Sequence, residues 1–173
     1  MKNTTGIGWL LGAALAVTPM ALPASTVDKP LVERVRHEVV MLPWYSLFDN
    51  ISYQVEGTKV ILTGQVVRPT LKKDAEDAVK HIAGVSAVEN KIEILPPSPF
   101  DDRIRLAVLR AVYRSDGLLY YGLGASPSIH IMVKNGHVTL EGAVSRQTDK
   151  ALAGIAANMV PGVFSVTNLL QVQ

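Results

Sequence analysis

The chain has 173 residues, 48% of them hydrophobic, and a formal net charge of +2 at pH 7. This length fits one medium-sized domain or two small ones, and the nearly balanced charge excludes a polycation that attracts nucleic acid in bulk. The chain contains no cysteine, which excludes disulfides, thiolate zinc sites and a lipid-modified N-terminal cysteine.

The N-terminal segment has the composition of a secretory leader. Lys2 precedes an apolar run over residues 7–17 and a Pro- and Ala-rich stretch that ends near Ala24. The apolar run is shorter than the roughly 20 residues that a membrane-spanning helix needs. Residues 1–24 are therefore predicted to be a signal peptide, which implies a periplasmic or secreted protein. A leader that stays uncleaved and anchors the chain is the alternative.

An amphipathic helix follows the leader. Asp28 is its candidate N-cap, and apolar residues at helical spacing form one face: Leu31, Val35, Val39 and Leu42. Two alternating strands come next, joined by Gly57-Thr58, a two-residue hairpin connection. This register places Gly64 opposite Ile51, where we expect a glycine to leave space for a helix to approach the sheet.

A second helix and a last strand complete this unit. Thr70 is the candidate N-cap of the helix, and Gly84 is expected to be a left-handed residue at its C-terminal end. In the closing strand, Asn90 falls at an inward-facing position. A buried amide there must be hydrogen-bonded, so a structural role is favoured over a binding role.

The same sequence unit is then repeated. Residues 57–94 align without gaps on residues 135–172, with 13 identities among 38 positions. The Pro-rich stretch 96–99 is predicted to link a first domain over 28–95 to a second over 100–173. Upstream of the hairpin, the second copy carries about nine extra residues between its first helix and its first strand.

The second copy repeats each element. Its first helix is expected to begin at Asp101 or Asp102, and Asn135-Gly136 connects the hairpin. The inward face of its second helix is predicted to consist of Leu152, Ile155, Ala156 and Met159. Gly142, Gly162 and Asn168 occupy the positions of the first copy's Gly64, Gly84 and Asn90.

This repeated pattern resembles the BON domain, which occurs, often in tandem, in bacterial envelope proteins that include an osmotically induced periplasmic type. The residues that carry the resemblance are Val60, Leu62, Gly64, Val66, Gly84, Val85, Val88 and Asn90, with Val138, Leu140, Gly142, Val144, Gly162, Val163, Val166 and Asn168 in the second copy. The element order predicts an α+β fold of two tandem αββαβ domains, each a three-stranded mixed sheet with two helices on one face. The resemblance implies a non-enzymatic module that associates with phospholipid or with other envelope components.

One surface of the second copy is a candidate for lipid contact. Arg103, Arg110 and Arg114 lie within about 40° of one another on a helical wheel, and Arg105 is expected elsewhere on the surface. The Gly-rich segment that follows adds apolar and amphipathic residues: Leu118, Leu119, Tyr120, Tyr121 and Leu123. Such a combination suits an anionic bilayer. Packing of this segment against the core or the other domain is the alternative interpretation.

No arrangement of catalytic residues is evident, so an enzyme, a cofactor and a metal site are not expected. His130 and His137 are predicted on the solvent face of the second hairpin, too far apart to share a metal ion. Two functional hypotheses remain: weak binding to anionic phospholipid, or a protein-binding scaffold of the envelope without lipid contact. The oligomeric state is left open.

Overall fold

The computed structural model describes residues 30–123 and 127–173. The predicted signal peptide and the candidate N-cap Asp28 lie outside these residues. The first copy contains α1 (Leu31–Val40), β1 (Asn50–Glu56), β2 (Lys59–Val66), α2 (Pro69–Lys80), β3 (Ala87–Asn90) and β4 (Glu93–Ile94). The second copy contains α3 (Pro99–Arg114), a 3₁₀ turn (Leu119–Gly122), β5 (Ile129–Lys134), β6 (His137–Val144), α4 (Gln147–Asn158), β7 (Ser165–Asn168) and β8 (Gln171–Val172).

The two copies have the same mixed sheet, which confirms the predicted α+β fold of tandem αββαβ domains. In each, the hairpin strands are antiparallel, and the last strand runs parallel to the second strand of the hairpin. That last strand is interrupted, so β3 and β4 pair in succession with β2, and β7 and β8 with β6. The helices cover one face of each sheet, because Val35, Val79 and Leu62 share one buried cluster.

Both hairpin registers agree with the prediction, since Gly64 faces Ile51 and Gly142 faces Ile129. The expected reason for the glycines was wrong. Gly64 has φ +116°, and a Cβ atom there would overlap the carbonyl oxygen of Asn50 on the adjacent strand rather than a helix. Gly142 has φ +119° and the same relation to the Ser128 carbonyl. Backbone conformation and strand approach therefore require these glycines.

Helix α3 starts earlier than predicted. Its N-cap is Ser98, whose hydroxyl oxygen accepts a hydrogen bond from the backbone N–H of Asp101 at 3.1 Å. Pro99, assigned to the linker by the sequence, occupies the first helical turn. Asp101 is buried and accepts bonds from the N–H groups of Asn135 and Gly136 at 2.9 and 2.8 Å. A residue expected to cap α3 instead fixes the β5–β6 turn.

The predicted inward face of α4 was right at Ala156 and at Leu152, which packs against the core, but wrong at Ile155 and Met159. The residues that are buried on this helix are Asp149, Ala153, Ala156 and Ala157, whereas Ile155 and Met159 are exposed. The alignment of the two copies indicates the correct face, because Ala153 and Ala157 correspond to Ala75 and Val79 of the first copy, which are buried there. Alanine-rich sequence makes the apolar period of α4 ambiguous.

The two copies contact each other through the α1–β1 connection. The N–H of Ile131 on the outer edge of β5 donates to the Leu47 carbonyl at 2.7 Å, and Leu47 and Phe48 pack against the core of the second copy. His130 is not solvated as predicted. It is half-buried, with Nδ1 2.6 Å from the Asp49 carbonyl oxygen and its ring centroid 5.6 Å from that of Tyr45.

Candidate functional site

The basic face of α3 is the candidate site that the sequence singled out. Arg103, Arg110 and Arg114 are all exposed. None of them forms an ion pair within residues 30–123 and 127–173. The guanidinium carbon of Arg103 lies 5.8 Å from the centroid of the Phe100 ring, a cation–π distance. The three side chains thus present positive charge to solvent.

Packing of α3 explains why these arginines point outward together. Ile104, Val108 and Val112 are buried on the opposite side of the helix, and spacings of seven and four residues keep the three arginines in one row. We call this row the arginine face.

Arg105 departs from the expectation that it lies on the surface. It is buried, pairs with Asp102, and donates from Nη2 to the Val133 carbonyl on β5 at 2.8 Å. It therefore joins α3 to the sheet and is not available to a ligand at the surface.

The segment after α3 divides into core and surface residues. Leu118 and Tyr121 are buried in the core of the second copy, which removes both from the predicted lipid-contacting set. Leu119, Tyr120 and Leu123 remain exposed. The packing interpretation therefore holds for two of the five residues of this segment, Leu118 and Tyr121. The nine-residue insertion supplies the second domain with two additional core side chains.

Tyr121 is held in place by a polar contact that the sequence did not suggest. Its hydroxyl donates to Oδ2 of Asp149 at 2.7 Å and accepts from the backbone N–H of Ser145 at 2.7 Å. Arg146 completes the group, with Nε 3.1 Å from Oδ2 and Nη2 3.0 Å from Oδ1 of Asp149. Burial raises the pKa of Tyr121, and the Tyr121 hydroxyl, followed by Arg146, lowers the pKa of Asp149.

This Tyr–Asp–Arg group has a structural role. Asp149 occupies the position of Leu71 in the first copy, and Leu71 is fully buried. The sequence contains one indication of this group. An aspartate replaces a core leucine in the second copy, the same copy that carries a Tyr-containing insertion. The Asp149 carboxylate is buried, and both of its oxygens are paired within the domain.

The asparagines of the last strands join sheet to helix. Asn90 donates from Nδ2 to the Lys72 carbonyl at 2.7 Å and accepts at Oδ1 from the Ile92 N–H at 3.1 Å. Asn168 makes the corresponding bonds to Lys150 and Leu170. These amides satisfy the backbone where each last strand is interrupted.

Gly84 and Gly162 have φ +94° and +91° in the turns that follow α2 and α4, a conformation that favours glycine. Within the described part of the chain, no group of three or more His, Asp or Glu residues could hold a metal ion. In those same residues, every helix is too short or too polar to cross a bilayer.

Comparisons with known proteins agree with the tandem pattern. A family model for the BON domain matches the chain twice, over residues 28–96 and 101–173. No curated protein sequence matches the chain.

Two solved structures of a Chlamydia trachomatis protein are similar to the chain. The first is the C-terminal domain of CdsD, described as the structural protein of the type III secretion system; it is 10% identical, with TM-score 0.33, and the alignment covers 84% of this chain and 98% of that one. A second CdsD structure is 11% identical, with TM-score 0.31, and coverage of 83% and 92%.

Proposed function

The chain belongs to the BON domain family and carries the domain twice, and from this membership we propose that it binds the bacterial cell envelope weakly, through anionic phospholipid. BON domains are known from envelope-associated proteins. The predicted leader would export the chain to the periplasm or beyond the cell, where it meets such lipids. The family is generally non-enzymatic, and the proposed role is one of binding.

The arginine face is the observation that carries this proposal. Its three guanidinium groups are exposed and have no carboxylate partner among the described residues, so binding to headgroup phosphates does not require an existing ion pair to break. Each basic residue near an anionic surface contributes about 1 kcal/mol. Three such residues give weak binding that salt weakens further. Leu119 and Tyr120, exposed just beyond α3, add amphipathic contact at the interface.

Cosedimentation with vesicles tests the proposal. At low salt, the protein should pellet with vesicles that contain phosphatidylglycerol and stay in solution with pure phosphatidylcholine. The triple variant Arg103→Gln, Arg110→Gln, Arg114→Gln should lose affinity by on the order of 100-fold, from about 1 kcal/mol per residue.

A matched control removes the same charge from the first copy. The variant Arg36→Gln, Lys73→Gln, Lys80→Gln alters three exposed cations and should keep most of the binding. If both variants lost the same affinity for anionic vesicles, net charge alone would account for the binding. A specific contact by the arginine face would then be contradicted. Equal partition onto anionic and neutral vesicles would reject the proposed binding to anionic headgroups. No partition onto either would reject lipid and favour the alternative, a protein-binding scaffold detectable by cross-linking in envelope extracts.

A further inference from the structure

The outer surface of α4 differs in character from its counterpart in the same chain. On α2, the exposed positions include Lys73, Asp77 and Lys80. The equivalent positions on α4 are Ala151, Ile155 and Asn158, which are also exposed and carry no charge. The repeat therefore retains the fold of this helix but replaces its solvated face.

The replacement continues past the end of the helix. His81 and Ser86 of the first copy become Met159 and Phe164. The exposed fractions are 57% for Ile155, 78% for Met159 and 75% for Phe164. We call these three side chains the apolar ridge. Neighbouring exposed apolar residues of this kind mark interaction surfaces more often than isolated ones do.

Phe164 is positioned by its backbone and by a turn beneath it. Its N–H donates to the Gly136 carbonyl at 2.9 Å, and a Cβ atom at Gly136 would overlap the phenyl ring. The ring centroid lies 6.0 Å from that of His137. The Phe164 ring therefore lies against the turn at Gly136, where the absence of a side chain leaves room for it. The ring nevertheless remains largely exposed to solvent.

The apolar ridge borders the arginine face. Phe100, at the start of α3, lies against Gly162, just beyond the end of α4, so the two packed helices run antiparallel. On a helical wheel, Phe100 and Ala107 fall between the arginine face and α4. Arg103 stacks on Phe100. A row of cations therefore lies beside a row of apolar side chains on one helical layer.

No unpaired, exposed carboxylate lies on the two helices that form this surface. Of the carboxylates on α3 and α4, Asp101 and Asp149 are buried, and Asp102 is paired with Arg105. A surface with cations beside protruding apolar groups matches the boundary between anionic headgroups and acyl chains.

We propose that the apolar ridge of Ile155, Met159 and Phe164 inserts into the interfacial layer of an anionic bilayer while the arginine face contacts the headgroups. This inference rests on the proposed lipid binding and adds the element that enters the membrane. A second copy of the chain is a poorer occupant, because symmetric pairing of two ridges would bring the two arginine faces together without carboxylates to pair them.

Fluorescence from single labelled positions tests the insertion. The chain has no cysteine, so Met159→Cys and Phe164→Cys each give one site for an environment-sensitive fluorophore. With phosphatidylglycerol vesicles, both should shift to shorter wavelength and be quenched by lipids brominated on their acyl chains. Leu169→Cys is the matched control. Leu169 is also exposed. Its neighbour Asn168 faces α4, so Leu169 points to the opposite side of the sheet and its label should not respond.

Insertion and lipid binding can fail separately. If the labelled proteins pellet with anionic vesicles but neither ridge position shifts or is quenched, the insertion is overturned and the lipid binding stands. If they do not pellet, both are overturned. A shift that appears without vesicles and grows with protein concentration would identify a second copy as the occupant and would also overturn the insertion.

A charge-neutral variant measures the contribution of the ridge. Ile155→Asn, Met159→Gln, Phe164→Ser alters exposed positions that are polar in the first copy, so the fold should tolerate it, which circular dichroism checks. We expect at least about a 10-fold loss of affinity for anionic vesicles from the lost apolar burial. Leu169→Gln should leave the affinity unchanged. A ridge variant that binds as the wild type does would contradict the inference.

Discussion

Asp149 shows how a single residue changes the core of a duplicated domain. A leucine at the corresponding position of the first copy fills the core. A carboxylate there is stable only when it is paired and hydrogen-bonded. Tyr121 and Arg146 supply those partners, and Tyr121 exists because of the insertion after α3. The substitution and the insertion therefore depend on each other physically.

We expect Tyr121→Phe to destabilise the chain by about 1–3 kcal/mol, because it leaves the Asp149 carboxylate and the Ser145 N–H each short of a buried partner. The measurement is the free energy of unfolding in urea. Tyr120→Phe is the matched control, since that hydroxyl is exposed and lies 2.9 Å from the Ser145 hydroxyl; it should cost less than about 0.5 kcal/mol. Equal costs for both variants would contradict a special role for the buried group.

The β-hairpins are the elements that sequence reasoning placed best. A two-residue connection determines the register, and alternation determines which face is buried. Glycine at position 64 shows what the pattern could not reveal. Its φ and the proximity of the Asn50 carbonyl depend on the path of the adjacent backbone, about which side-chain periodicity carries no information.

Gly64→Ala should cost at least about 2 kcal/mol, because the new methyl group forces β1 and β2 apart in addition to the unfavourable φ. Gly57→Ala is the control. Gly57 also has a positive φ, of +62°, but open space surrounds its Cβ position, so we expect a loss of only about 1 kcal/mol. Thermal or urea unfolding of the two variants measures the difference, and a Gly57 variant as damaged as the Gly64 variant would refute the steric explanation.

The buried faces of the helices were predicted less accurately than those of the strands. The inward face of α1 was correct at Val35 and Val39, since charged residues on the other face make its period plain. Leu42 is buried as expected, but it lies just beyond the end of the helix. The phase of α4 was wrong, because Ala153 and Ala157 are less conspicuous than the larger Ile155 and Met159 of the opposite face. The alignment of the two copies contains the correct answer, so the repeat is a better guide to burial there than residue size.

The candidate site was predictable only in part for a similar reason. The arginine face follows from helical spacing and is exposed as expected. The division of the following segment into buried Leu118 and Tyr121 and exposed Leu119 and Tyr120 depends on a 3₁₀ turn. It also depends on a partner for Tyr121 that lies 28 residues further along the chain.

At the scale of the whole molecule, the two copies are joined asymmetrically. The α1–β1 connection of the first copy covers the outer edge of β5, which protects an edge strand from other pairing. In the second copy, Leu118 and Tyr121 of the corresponding connection pack in that copy's own core. Lys134 and Glu93 add an ion pair between the copies, with Nζ 2.5 Å from Oε1. Met132 is buried on the sheet face away from the helices. On that face it lies between His130 and Lys134, which both contact the first copy.

His130 makes this contact between the copies sensitive to pH. Burial lowers the pKa of His130, and this effect exceeds the opposing influence of the Asp49 and Ser46 carbonyls and of the Asp49 and Glu141 carboxylates. Tyr45 packs on the imidazole from the first copy. When the copies separate, His130 regains an ordinary pKa of about 6.5. The separated state then binds more protons, so the docked state is fully stable above about pH 6.5 and loses stability as the pH falls.

The methyl resonance of Met132 should report this loss. Between pH 7.5 and pH 5, we expect it to move from a buried position toward that of a solvent-exposed methionine, because the copies separate as His130 becomes protonated. Met159, which is already exposed, is the internal control and should not move. In His130→Gln, whose side chain does not titrate, the Met132 resonance should be independent of pH over this range. If the variant and the wild type change alike, a titrating group other than His130 controls the contact between the copies.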